Sequence, residues 1–216
     1  MPVPGMELRT APRRPDRPVL SCNDYRPNEA VAALLALCFP RARSIADVSF
    51  GHGGFWSGYR PPIRSDRRAL PGVNLVSDFR ALPMGSGAVD VVVYDPPFQP
   101  RSERQTSGKM VDRYTSGEAR TMTQLRELVV AGALEARRVA RLGLVVKCQD
   151  FINARQPAWM TFWLYDALGE PFEGMVCRSN NKMLSPLWNR QKSVWRNHAS
   201  YFAWKTSGGT WLAVTA

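Results

Sequence analysis

The stretch VDVVVYDPPF at 89–98 constrains the fold more than any other part of the chain. Valines at 89 and 91–93, followed by Tyr94, form an apolar run with little polar relief. Such a run is a strand buried on both faces, as strands of parallel sheets are. Proline has no N–H to give to a ladder, so Pro96 and Pro97 stop the strand. Its carboxyl end then presents an acid, a rigid turn and an aromatic ring. In open α/β sheets, ligands bind at that end.

The rest of the chain supports a sheet of this kind. NEAVAALLALCF reads as a helix, with Asn28 placed to cap it. RSIADVSFGHGGFW passes from a short strand into a glycine-rich turn. Two further short strands are expected to end at Asp66 and Asp78, and the fourth ends at Asp95. QLRELVVAGALEARRVAR has helical period, LGLVVKCQDF is a fifth strand, and PAWMTFWLYDALGE is another helix. FEGMVCRSN and SYFAWKT read as closing strands. Strands alternating with helices predict one mostly parallel α/β sheet, Rossmann-like, with helices on both faces. The expected division is a flexible Pro/Arg-rich arm over 1–27 and a single folded domain over 28–216. The polar stretch from 99 to about 120 reads as a long loop over the site.

Charge narrows the choice of partners. The chain of 216 residues carries a formal net charge of +11. After Glu173 there is no acid, while Arg178, Lys182, Arg190, Lys192, Arg196 and Lys205 follow, with Trp188 and Trp195 among them. Basic residues interleaved with aromatic rings favour a nucleic-acid surface over a merely solvated face. The longest apolar stretch, AVAALLALCF, is too short to span a bilayer. The N-terminal stretch has no apolar segment of the signal-peptide kind, and a cytoplasmic location is expected. Four cysteines without a CxxC pair argue for neither a zinc site nor a disulfide framework. No metal site is expected, and His52 and His198 are read as structural.

Asp47, Asp66, Asp78 and Asp95 fall in or just past four successive strands, along one rim. Gly51 and Gly53 after Asp47 allow a tight turn and close approach to a ligand. Asp66 stands at the distance where an acid meets ribose hydroxyls in dinucleotide folds. Pro61 and Pro62 cut short the helix that would carry a pyrophosphate, so a nucleoside ligand fits better. Asp78 with Phe79 suits an adenine: the carboxylate accepts from the exocyclic amine and the ring packs on the base. The DPPF unit then has a chemical reason. An exocyclic amine is a weak nucleophile because its lone pair is delocalised. Two acceptors, the Asp95 carboxylate and the Pro96 carbonyl held by Pro97, would draw the nitrogen toward tetrahedral geometry. Phe98 would stack on the base and hold it in line. The electrophile would be a methyl on a sulfonium. Lys147, Gln149 and Asp150 end the fifth strand on the same rim.

Together, YDPPF at 94–98, DVSFGHGGFW at 47–56 and SDFRALP at 77–83 resemble the amino-methyltransferases that use S-adenosylmethionine. The order of motifs is similar to the gamma-type DNA enzymes, and the resemblance is closest to small phage and actinobacterial DNA methylases. VVKCQDF, RQPAW and RNHASYFAW have counterparts there. The resemblance covers about 23–206. It implies a class I methyltransferase fold and S-adenosyl-L-methionine as cofactor, bound by Asp47, Ser49, Gly51, Gly53, Asp66, Asp78 and Phe79. It implies catalysis by Asp95, Pro96, Pro97 and Phe98 on an adenine N6 of DNA. Ser49 stands where the family's loop usually has an aromatic, with Phe50 beside it. RNA as substrate, and a catalytically silent nucleic-acid binder of the same fold, are the alternatives.

Overall fold

The valine run is the centre of the molecule. The computed structural model describes residues 18–100, 115–116, 119–153, 156–178 and 198–206. Its strands are β1 (Cys22–Asn23), β2 (Ile45–Asp47), β3 (Ile63–Asp66), β4 (Leu75–Val76), β5 (Val89–Tyr94), β6 (Gln99–Pro100), β7 (Thr115–Ser116), β8 (Ala140–Cys148), β9 (Phe151–Asn153), β10 (Gln156–Ala158), β11 (Glu173–Arg178) and β12 (His198–Lys205). Its helices are α1 (Pro27–Cys38), α2 (Met122–Val139) and α3 (Met160–Leu168).

Eight strands form one sheet in the order β1-β11-β12-β8-β5-β2-β3-β4. From β8 through β5, β2 and β3 to β4 every pairing is parallel. β12 runs antiparallel to both of its neighbours, β8 and β11. The expected Rossmann-like α/β sheet is therefore present. The last strand has come back between β8 and β11. β6 with β7, and β9 with β10, form two small separate pairs.

Strand pleating sorts the core into two layers. In β5, Val91 and Val93 join Val145 of β8 and the α1 residues Val31, Leu34 and Leu35 on one face. Val92 and Tyr94 join Leu144, Val146 and the apolar stripes of α2 and α3 on the other. All six residues of β5 are buried, because helices cover both faces. Gly143 of β8 has a packing reason: a Cβ there would collide with the Trp204 carbonyl and meet the Phe39 ring at 2.7 Å.

Several details differ from expectation. α1 begins at Pro27, with Arg26 rather than Asn28 in the capping position. Proline suits the first helical turn, where its missing N–H is not needed, and Glu29 Oε2 accepts the Arg26 N–H at 2.7 Å. β4 stops at Val76, two residues before Asp78. Residues 18–27, assigned to the arm, include β1, which pairs in parallel with β11, and Tyr25, which is buried. Along α3, Met160 and Leu164 face the core and Trp163 packs partly against it, while Trp159 and Tyr165 are exposed. α3 is short and packs against α2 through one stripe, Met160, Leu164 and Leu168.

Not every strand acid faces the ligand end. Asp90 sits at the opposite end of β5. It accepts the Arg43 N–H at 2.6 Å, the Ser44 N–H at 3.2 Å and the Arg141 Nε–H at 3.0 Å. Its role is structural. It ties β2's entry and β8's start to a bulge in the β5–β8 pairing.

Candidate active site

In sequence order the chain lays down β2, steps outward to β3 and β4, then returns to β5 and steps outward to β8 on the other side. The reversal falls between β2 and β5. Connections leave these two strands in opposite directions, which opens a crevice beyond their carboxyl ends. Asp47 ends β2 and Asp95 follows β5, so both flank that crevice.

The Asp47 side chain is buried, at 1% exposure. Its Oδ1 accepts the Ser49 N–H at 2.9 Å, and its Oδ2 accepts the Trp56 indole N–H at 2.7 Å. Burial pushes its carboxyl up to about 7; the Trp56 and Ser49 hydrogen bonds oppose that shift, and the nearby Asp95 charge adds to it. Asp47 thus lies under the glycine loop and organises it from beneath. The Asp66 Oδ2 accepts the Gly51 N–H at 3.1 Å, fastening the same loop to β3, while its Oδ1 accepts the Arg68 N–H at 2.9 Å.

Gly51 and Gly53 both have positive φ, 53° and 74°, where a Cβ is strained. A Cβ on Gly53 would also press on the Phe50 ring at 2.9 Å, whereas one on Gly51 would meet only the Ser49 carbonyl, at 3.8 Å. Phe50 is buried beneath the loop, against Gly53 and Gly72. The ring displaced by one position from the expected place supports the loop from below. Ser49 has the freed position, and its Oγ accepts the Asp95 backbone N–H at 2.6 Å. The same hydroxyl lies 3.4 Å from Asp47 Oδ1. One small side chain therefore links the glycine loop to the DPPF unit.

Asp95 is paired with Lys147 of β8. The Lys147 Nζ lies 3.2 Å from each carboxylate oxygen. Pro96 is buried, while Pro97 and Phe98 are partly covered, and Phe98 packs against the core on the α2 side. Asp78 begins a turn: its Oδ1 accepts the Arg80 N–H at 2.8 Å, and the Arg80 guanidinium takes both oxygens. Those Arg80 contacts hold the Asp78 carboxyl below the usual range. Phe79 is half-buried, with its ring 5.3 Å from that of Tyr94 and against Gly132 of α2.

Of the three residues expected at the end of β8, the structure brings Lys147 into the site and gives the other two structural work. Gln149 donates to the His198 carbonyl at 2.9 Å, and Asp150 accepts the Thr161 N–H at 3.0 Å, capping α3. Trp56 escaped the sequence reading. Its signal was an indole close behind a glycine loop that follows an acid due for burial, since a buried carboxylate needs donors. Arg101, Arg104, Lys109, Arg113 and Tyr114 of the polar loop lie outside the described residues, as do Trp188, Trp195 and most of the C-terminal cations. Among the described residues no group of three or more His, Cys, Asp or Glu could hold a metal ion, and no helix is long and apolar enough to cross a membrane.

These features define a Rossmann-like α/β protein with a glycine loop and strand-end acids gathered at its strand switch point. No family profile matches the chain, and no curated protein matches it. Among solved structures it is similar to a Thermoplasma acidophilum protein, at 15% identity over 82% of this chain and 91% of that one, with a TM-score of 0.45. It is similar to a candidate DNA modification methylase from Thermus thermophilus solved with S-adenosyl-L-methionine, at 12% identity and a TM-score of 0.37. That match covers 62% of this chain and 51% of the Thermus chain, so the chain spans about half that protein's length. It is also similar to a SAM-dependent methyltransferase from Aquifex aeolicus, at 13% identity over 76% of this chain and 81% of that one, with a TM-score of 0.36.

Proposed function

We propose that the protein is an S-adenosylmethionine-dependent methyltransferase acting on an exocyclic amino group of a nucleic-acid base, adenine N6 in DNA above all. The observation that carries this reading is the DPPF unit at the carboxyl end of β5, tied through Ser49 to the glycine loop at the sheet's switch point.

The residues present fit the cofactor. A Cβ built on Gly51 would meet only the Ser49 carbonyl, at 3.8 Å, and one on Gly54 would meet nothing within 4 Å, so the loop has open space beside these two glycines for a ligand. Asp66 and Asp78 along the rim supply acceptors suited to hydroxyls and to an exocyclic amine. Asp47 and Ser49 shape the loop, and Phe79 backs the adenine position. Bound there, S-adenosylmethionine would supply a sulfonium methyl, whose C–S bond breaks, with the electron pair left on sulfur, as the N–C bond forms.

The chain's own residues prepare the nucleophile. The Asp95 carboxylate and the Pro96 carbonyl accept the two amine hydrogens and so localise the nitrogen lone pair. Phe98 stacks on the base and keeps the nitrogen in line. The proton that the methylated nitrogen sheds passes to the Asp95 carboxylate and on to water. Methyl transfer from a sulfonium to an amine calls for no metal. A base in a duplex must first leave the stack, and the basic C-terminal stretch is suited to holding the phosphates meanwhile.

The test offers labelled S-adenosylmethionine with duplex DNA, single-stranded DNA and total RNA, followed by nucleoside mass spectrometry. N6-methyladenine in DNA, lost in Asp95→Ala with nucleic-acid binding retained, is the expected result. Label in RNA alone would move the reading to an RNA base amino-methyltransferase. Cofactor binding without transfer to any pool would point to a missing partner or to a catalytically silent binder.

A further inference from the structure

An aspartate carboxylate is poorly oriented by its own torsions, because rotation about its last bond has a broad, two-fold profile. A carboxylate that must meet one amine hydrogen needs an outside restraint, since small misplacements are expensive in rate. Ser49 restrains only the backbone of Asp95. The side chain is restrained by Lys147. Its ammonium is 3.2 Å from both oxygens, and the pair is largely withdrawn from water, at 12% exposure for Lys147 and 29% for Asp95.

Lys147 is itself held. It lies directly across from Tyr201 in the β8–β12 register. Its Nζ is 5.6 Å from the centre of the Phe55 ring, which meets the Tyr201 ring edge-on at 6.4 Å. An aromatic ring on one side and a carboxylate on the other give the ammonium a defined seat. A lysine head is a compact charge with three rotatable donors, so it can yield one oxygen and keep the other.

We propose that Lys147 is a positioning residue for Asp95. It sets the plane of the carboxylate before substrate arrives and releases one oxygen to the target amine. The inference rests on the amino-methyltransferase reading and deepens it: it gives the antiparallel strand β12 and the glycine loop's Phe55 a part in orienting the catalytic acid.

The test compares wild type with Lys147→Met and Lys147→Arg in steady-state methyl transfer, with cofactor Kd and melting temperature measured alongside. For Lys147→Met, kcat falls about 10- to 100-fold, while KM for nucleic acid and Kd for S-adenosylmethionine stay within about twofold. Lys147→Arg recovers a large part of kcat, because a cation again reaches the carboxylate. An unchanged kcat in Lys147→Met, or a loss shared equally by kcat and cofactor affinity with no recovery in Lys147→Arg, would overturn the proposal. A second arm needs no activity. Acetic anhydride labels Lys147 more slowly in wild type than in Asp95→Asn, read by peptide mass spectrometry. Equal labelling in the two overturns the proposal. A wild type that transfers no methyl sinks the functional reading instead and leaves the labelling arm to decide the pairing.

Discussion

At the residue scale the site depends on a few polar atoms with more than one duty. The Ser49 hydroxyl accepts from the Asp95 N–H and approaches Asp47. Ser49→Ala leaves that half-buried N–H unpaired, at a cost of about 1–2 kcal/mol. It also frees the DPPF unit from the loop, so kcat should fall alongside the urea midpoint. Asp47 adds a pH dependence whose sign follows from its raised carboxyl. The folded protein keeps the proton up to about 7, whereas the ordinary value is 3.8. Between those limits the folded state binds more protons than the unfolded one, so this group's contribution is favourable at low pH and is lost as pH rises. A carboxyl raised from 3.8 to about 7 corresponds to about 4 kcal/mol at most. Asp47→Asn cannot ionise. Urea titrations at pH 5 and pH 8 should therefore show wild type losing stability relative to that variant as pH rises, and parallel behaviour would refute the assignment.

At the element scale the packing of α2 on β5 connects stability to the site. Gly132 faces Tyr94, the residue just before Asp95. A Cβ there would collide with the Tyr94 hydroxyl and fall 2.5 Å from the Phe79 ring. Alanine is the better helix former by about 1 kcal/mol, but Tyr94 is fully buried in the central strand and has no room to retreat. The overpacking, typically about 1–3 kcal/mol, should win. Gly132→Ala is expected to lower the urea midpoint and to reduce kcat through the displaced strand end. A more stable variant would show that α2 can shift outward. Asp150 offers the contrast: it caps α3 from the end of β8. Asp150→Ala should cost about 1 kcal/mol of stability, with methyl transfer per folded molecule unchanged.

At the scale of the whole molecule the relevant quantity is charge. A net charge of +11, with six cations and no acid after Glu173, makes association with a polyanion strongly dependent on salt. The logarithm of nucleic-acid affinity should fall linearly with the logarithm of salt concentration. Lys192→Ala combined with Arg196→Ala should flatten that slope by about 2 if both meet phosphates of a duplex. An unchanged slope would place the phosphate contacts elsewhere on the surface.

Much of this architecture is legible in the chain because period and punctuation act locally. The valine run and Pro96-Pro97 specify a buried strand and its end. The glycines after Asp47 specify a turn, and helical period outlines α2. Hence the α/β sheet and its acid-bearing rim follow from neighbours in sequence. What the rim acids touch follows only in part: the Asp78–Arg80 and Asp47–Ser49 contacts are between near neighbours, the Asp66–Gly51 and Asp47–Trp56 contacts are not. Asp66 holds Gly51, Asp78 holds Arg80, and Asp47 is buried under Trp56 and Ser49. Nothing local places Lys147 against Asp95 either, since 52 residues separate them and only the parallel pairing of β5 with β8 brings their ends together. Local sequence determined the strands, the turn and the DPPF unit. That Asp47 is buried, and that Lys147 steadies Asp95, was decided only by the order and register of strands in the sheet, because both depend on distances between residues far apart in the chain.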